Sequence, residues 1–209
     1  MENPWEEISL DDYEKHMALE SVMQLQAMNE IMGSQLCRYP VATVMILGIA
    51  GGNGLNHVQT GKIKKVYGVD INRDYLAECV ARYPGLKNIF LPVHGDLQDE
   101  NITLPTAEIL IANLLIEYVG YKNFQNAVKK AAPAYVSSVI QINKDDGFVS
   151  SSPYLHAFDR LGEVHYQVDR DGLTKAMQDI GFRPIYEAET ALPNGKSLLR
   201  LDFHRQQQA

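Results

Sequence analysis

Residues 48–54, Gly-Ile-Ala-Gly-Gly-Asn-Gly, place four glycines within seven positions directly behind an apolar, β-branched run at 41–47. Such a run reads as a buried strand of a parallel sheet. Glycine admits positive φ and leaves no side chain between the backbone and a neighbour. A strand, a glycine turn and a helix start form a cradle of backbone N–H groups suited to a nucleotide-type cofactor. The next apolar run, residues 65–70, ends in Asp70, an acid about 20 residues beyond the turn and able to accept both hydroxyls of a ribose. Asp96 follows Gly95 at the end of a third run, and Glu117 follows a fourth at 107–113. Glu117 has the chemistry of a general base, or of a carboxylate held near a cation.

Spacing discriminates among the cofactors. A dinucleotide fingerprint needs glycines at i, i+2 and i+5; Gly52 and Gly54 fit, but the third position is His57. Gly195-Lys196-Ser197 has the tail of a P-loop, but its leading glycine is replaced by Thr190. The stretch from Met45 to Gly54 resembles the first motif, hhhxhGxGxGxG, of the class I S-adenosylmethionine (SAM) methyltransferases. It departs from that motif at Ala50, where the family has glycine, and at Ile46, where it has an acid that helps to hold the methionine amino group.

The resemblance implies a Rossmann-like three-layer α/β sandwich with a seven-stranded sheet of order 3-2-1-4-5-7-6, strand 7 antiparallel. It implies SAM as cofactor. Gly48, Ile49, Ala50, Gly52 and Gly54 would admit its methionine and ribose portions, Asp70 and Ile71 its ribose, and Asp96 and Leu97 its adenine. Asn113 would line the site from the fourth strand, and Glu117 is the catalytic candidate. The Asn-Pro-Pro-Tyr-type motif of base and glutamine nitrogen methylation is absent at residues 113–118, so the acceptor is expected to be a small molecule.

Patterning supplies the elements that must position these residues. Ser9 starts a capping box, and Ala18, Val22, Leu25, Met28, Met32 and Leu36 recur at helical spacing, so one helix is expected over 9–37. The resemblance makes it a lid, residues 1–40, on a SAM-binding domain, residues 41–209. Strands and helices then alternate to a closing hairpin at 183–204. Residues 144–162 read as loop, with Asp146-Gly147 as one mark. Tyr154, His156, Phe158, His165 and Tyr166 are the aromatic residues able to face an acceptor there. The methionine-rich first segment could line the same surface.

Composition narrows the field. A net charge of −7, without a long basic cluster, argues against a nucleic-acid partner. No apolar run approaches a membrane span. The acidic N-terminus lacks the pattern of a targeting peptide, and Cys37 and Cys79 have no metal or redox spacing, so no metal and a cytoplasmic location are expected. Two rivals remain: a non-catalytic SAM-binding or regulatory protein on the same fold, and an NAD-dependent oxidoreductase, which the glycine spacing disfavours.

Overall fold

A computed structural model describes residues 3–143 and 147–206; Asp146 and the glutamines at 207 and 208 lie outside the described residues. The seven expected strands form a single sheet of order β3-β2-β1-β4-β5-β7-β6. They are β1 (Thr43–Leu47), β2 (Lys65–Asp70), β3 (Phe90–His94), β4 (Ile109–Asn113), β5 (Tyr135–Ile142), β6 (Phe182–Ala191) and β7 (Ser197–Arg205). The first five pair in parallel, while β7 runs antiparallel between β5 and β6. Both faces of the central strands are buried, which is why β1 and β4 are continuous apolar runs.

Helices α1 (Pro4–Glu7), α2 (Leu10–Ala18) and α3 (Gln24–Arg38) precede the sheet, followed by α4 (Arg73–Arg82), α5 (Ile116–Ala131) and α6 (Arg170–Gln178). The helix expected over 9–37 is therefore two. Ser9 caps α2 by accepting from the Asp12 N–H at 3.1 Å. The chain leaves the helix at Leu19, turns through Met23 at φ 53°, and restarts with Val22 only 1% exposed. Neither glycine nor proline marks that break; burial of Val22 outweighs the continuous helical period.

A second difference lies after β1. In place of the expected helix start stands a three-residue 3-10 turn, Leu55–His57. That sheet face is covered instead by α3, through Met32, Leu36 and Tyr39 packed with β1 and β2. Gly54, at φ 94°, makes this approach achievable: a Cβ there would sit 2.4 Å from the Met32 side chain. A Cβ on Gly33 would likewise meet the His57 ring at 3.1 Å. Asn29 joins helix to turn by donating to Asn53 at 2.8 Å and by pairing with the His57 ring at 2.8 Å. The opposite face is covered by α5 and α6, through Phe124, Val128, Leu173 and Met177.

A buried polar network fastens α3 to the sheet. The Asp202 carboxylate, fully buried on β7, accepts from Arg200 at 2.8 and 2.6 Å, Ser137 at 2.5 Å and Tyr39 at 2.8 Å. Gln35 of α3 donates to Ser137 and exchanges two hydrogen bonds with Asn113, all at 2.9 Å. Each charge in the network is paired, so removing one partner strands the other. Asp202→Ala is expected to lower stability by about 3–5 kcal/mol, read as a fall in the urea midpoint, because it leaves the Arg200 guanidinium buried without its counter-ion.

Candidate active site

Three cavities meet at the carboxyl edge of β1, β2 and β4, roofed by α1 and α2. Tyr13 of α2 and Leu114, just past β4, line all three. The first runs over the end of β2 and is lined by Gly48, Ala50, Asp70, Ile71, Asp96, Leu97 and Asn113 among others. Asp70 closes its floor: Oδ2 accepts from the Ala50 N–H and Oδ1 from the Asn72 N–H, both at 2.9 Å. The carboxylate thus locks the glycine turn to the strand end and keeps lone pairs for a ligand. Burial pushes its pKa up, against the backbone N–H groups that favour the ion. Asp96 accepts from the Gln98 N–H at 2.8 Å, a turn that presents the residue at the cavity wall. His94, beside it, is bonded through Nε2 to the Ile71 carbonyl at 2.9 Å.

The second cavity lies under α2 and α3, lined by Ile46, Gly48, Ile49, Ala50, Gly51 and Asn113 with Met17, Met28 and Met32. Ile46, where the motif acid would stand, faces this space. An acid reaches it from elsewhere: Glu14 of α2, whose Oε1 accepts from Arg82 at 2.5 Å. Gly48, at φ 64°, has no room for a side chain, since a Cβ would lie 2.9 Å from Leu115. The bareness of Gly52 and Gly54 serves the protein's own packing: a Cβ on Gly52 would meet Cys79, Leu55 and Tyr83, each at 2.9 Å.

The third cavity is walled by aromatic rings and holds Glu117. Leu114 turns the chain at φ 54° and α5 starts at Ile116, which sets Glu117 in the first helical turn. Its Oε1 accepts from the Gln141 N–H at 2.8 Å; Oε2 is buried with no partner. Burial pushes the Glu117 carboxyl up to about 7, outweighing its backbone hydrogen bonds. Helix α5 breaks at Gly120 (φ 74°, ψ 164°), and the Glu117 carbonyl takes the Tyr166 N–H at 2.6 Å. That bond draws the 165–166 segment over the site. Of the aromatic group expected there, Phe158 and His165 line the cavity, whereas His156 and Tyr166 are exposed. His16 and His165 are both shifted down, by burial and then by the charge of Lys196, and so stay neutral at pH 7.

Trp5, Tyr13, Phe148 and Gln141 also belong to this site and carried no sequence signal that tied them to it. Trp5 is held by a capped turn, with Asn3 accepting from its N–H at 3.1 Å, and its carbonyl takes Asn72 Nδ2 at 3.0 Å. Its indole Nε1 is buried without a partner. The Asn-x-x-Glu spacing at 3–6 was the one local clue.

The fold is that of the class I SAM-dependent methyltransferases. Magnesium protoporphyrin IX methyltransferase of Synechocystis PCC 6803, solved with S-adenosylhomocysteine (SAH) bound, superposes with a TM-score of 0.70 at 15% identity, over 94% of each chain. Geranyl diphosphate C-methyltransferase of Streptomyces coelicolor A3(2) gives 0.65 at 12% identity, over 88% of this chain and 81% of that one. The [4+2]-cyclase SpnF gives 0.65 at 9% identity, over 88% and 82%. No sequence family model matches the chain. A stretch covering 34% of it is 35% identical to the NADP isocitrate dehydrogenase of Archaeoglobus fulgidus, and the match spans only 21% of that enzyme.

Burying Glu117 has a measurable consequence. Its carboxyl lies at about 7 in the folded chain against an ordinary 4.5, so the folded state prefers the proton. Stability then falls as pH rises from 4.5 through 7 and levels off, by roughly 3 kcal/mol at most. Glu117→Gln, which carries no charge, is expected to raise the urea midpoint at pH 8 and to match the parent near pH 4.5.

Proposed function

We propose that this protein is a SAM-dependent methyltransferase acting on a small molecule, with Glu117 as its general base. The observation that carries the reading is the junction of the cavities. A carboxylate-floored cleft on the β2 edge opens beside an aromatic-lined chamber whose buried Glu117 oxygen lacks a partner. The residues fit the cofactor. Asp70 would accept the ribose hydroxyls, Asp96 and Leu97 would meet adenine, and the Gly48–Ala50 turn with Asn113 would border the methionine portion. Glu14 supplies the acid missing at Ile46 and would take the methionine ammonium. When bound, SAM supplies an electrophilic methyl on a sulfonium. Tyr13, Leu114 and Tyr118 exclude water where cofactor and acceptor meet, and Glu117 removes the acceptor's proton.

Two other readings have specific support. SpnF shares the fold, so methyl transfer does not follow from architecture, and a non-catalytic SAM-binding role remains the alternative. Against it stands the base placed in the third, aromatic cavity. The dehydrogenase-like stretch favours NADP, but among the described residues no lysine or arginine lines the first cavity for a 2′-phosphate, and Asp70 would repel one. The acidic chain gives phosphate backbones little to hold, which favours a small acceptor over nucleic acid. No helix among the described residues is long and apolar enough to cross a membrane. The two free thiols favour a reducing compartment such as the cytoplasm.

Calorimetric titration with SAM, SAH and NADP tests the cofactor. SAM and SAH are expected to bind at micromolar Kd, and to lose binding in Asp70→Ala and Asp96→Ala; binding of NADP alone contradicts the reading. Glu14→Gln is expected to weaken SAH about tenfold, the value of one charge-assisted hydrogen bond, while leaving adenosine affinity unchanged.

A further inference from the structure

We infer that the acceptor is a primary or secondary amine, bound as its ammonium ion with an N–H donated to Glu117 Oε2 and its cationic head set against the aromatic wall. This rests on the methyltransferase reading and names the substrate class of that same site.

The unpartnered Oε2 needs a donor, which an amine, an alcohol or a phenol could each supply. The rest of the chamber separates them. Trp5 and Tyr118 pack edge to face at 4.9 Å, Tyr118 and His165 meet at 5.9 Å, and Phe148 stacks on His165 at 4.1 Å. These rings, with Tyr13 and Phe158, line the space around one carboxylate, and among the described residues no lysine or arginine lines it. The Lys196 ammonium is felt by both histidines, but it donates to the Gly147 carbonyl and does not line the cavity. Ring faces attract cations.

Proton transfer decides more sharply than binding. Taking a proton from an alcohol or phenol creates an oxyanion whose positive neighbour would be the SAM sulfonium alone, since no lysine or arginine among the described residues lines the chamber. Taking one from an ammonium turns an ion pair into two neutral groups, which is what low-dielectric surroundings favour. The N–H proton moves to Glu117 Oε2 and leaves the nitrogen its lone pair. That pair forms a bond to the SAM methyl carbon as the carbon–sulfur bond breaks, its electrons staying on sulfur. The products are SAH and a methylated ammonium, so charge and atoms balance. The Trp5 indole N–H needs an acceptor atom that a ligand in either adjoining cavity would supply, so it does not distinguish the classes.

The test compares benzylamine, benzyl alcohol and benzoate, three probes of similar shape, by calorimetry on the protein with and without saturating SAH. Benzylamine is expected to bind at least tenfold more tightly than the alcohol, with benzoate undetectable. Its affinity is expected to fall about tenfold from pH 8 to pH 6, as a base with a midpoint near 7 is lost. The other titratable groups facing Glu117 are His16 and Tyr13 from α2, Tyr118 from α5 and His165, with the Lys196 charge behind. Protonation of either histidine would weaken the cation in the same direction. Glu117→Gln, which retains an acceptor for the Gln141 N–H, is expected to abolish the preference and to leave only the smaller pH dependence due to the histidines, without loss of SAH binding. Tyr118→Leu, which spares the carboxylate, is expected to weaken benzylamine several-fold more than the alcohol. Equal or tighter binding of the alcohol or benzoate, or an undiminished preference in Glu117→Gln, overturns the proposal. Failure of SAH to bind, with the amine preference intact in the ligand-free protein, overturns the methyltransferase reading instead.

Discussion

A carboxylate removed from water demands either a counter-ion or a full set of donors, and Glu117 has half a set. One oxygen takes the Gln141 N–H; the other has no partner. Folding tolerates this because the group gives up charge as its pKa rises, so the cost of burial is converted into basicity near neutrality. The surrounding elements shape the chamber. The left-handed turn at Leu114 aims the first turn of α5 at the sheet edge. The Gly120 break frees a carbonyl that draws the 165–166 segment inward, and α2 closes over the rings.

The opposite arm uses carboxylates differently. Asp70 receives two backbone N–H groups and welds the glycine turn to β2. With only a 3-10 turn after β1, the cradle has little helix dipole behind it, and α3 supplies the packing that such a helix would give. The Asp202 network ties α3 to β5 and β7 and reaches Asn113 at the cavity through Gln35. Helix α3 is thus packed into the domain's layers and also covers the second cavity, while α1 and α2 roof the mouth.

Much of this was legible in the sequence. The strands' places along the chain, the positions of Asp70, Asp96 and Asn113 at strand ends, and Glu117 beside the fourth strand followed from apolar runs punctuated by glycine and acid, and the order of strands in the sheet from the family resemblance. The division of the first 40 residues was not, because the helical period of Ala18, Val22 and Leu25 continues through a turn that tertiary burial imposes. The role proposed for Glu14 was also hidden. It lies 32 residues before Ile46, on an element whose placement depends on α3. Gly52 and Gly54 carried the motif, and a side chain on either would also meet the protein's own Cys79 or Met32. Spacing reveals where glycine is required, but not which neighbour requires it. Trp5 and Tyr13 join the site only through the roof, a contact between segments that no local pattern encodes.

The central claim is that a transferable methyl group comes to rest where the cavities meet, between Tyr13, Leu114 and Tyr118. Isotope-edited NMR of the protein with SAM carrying a 13C methyl measures this directly. The account predicts a bound methyl resonance with Overhauser contacts to the Tyr13 and Tyr118 rings and to the Leu114 methyls. A bound methyl that contacts none of these three, or no bound resonance at saturating SAM, would contradict it.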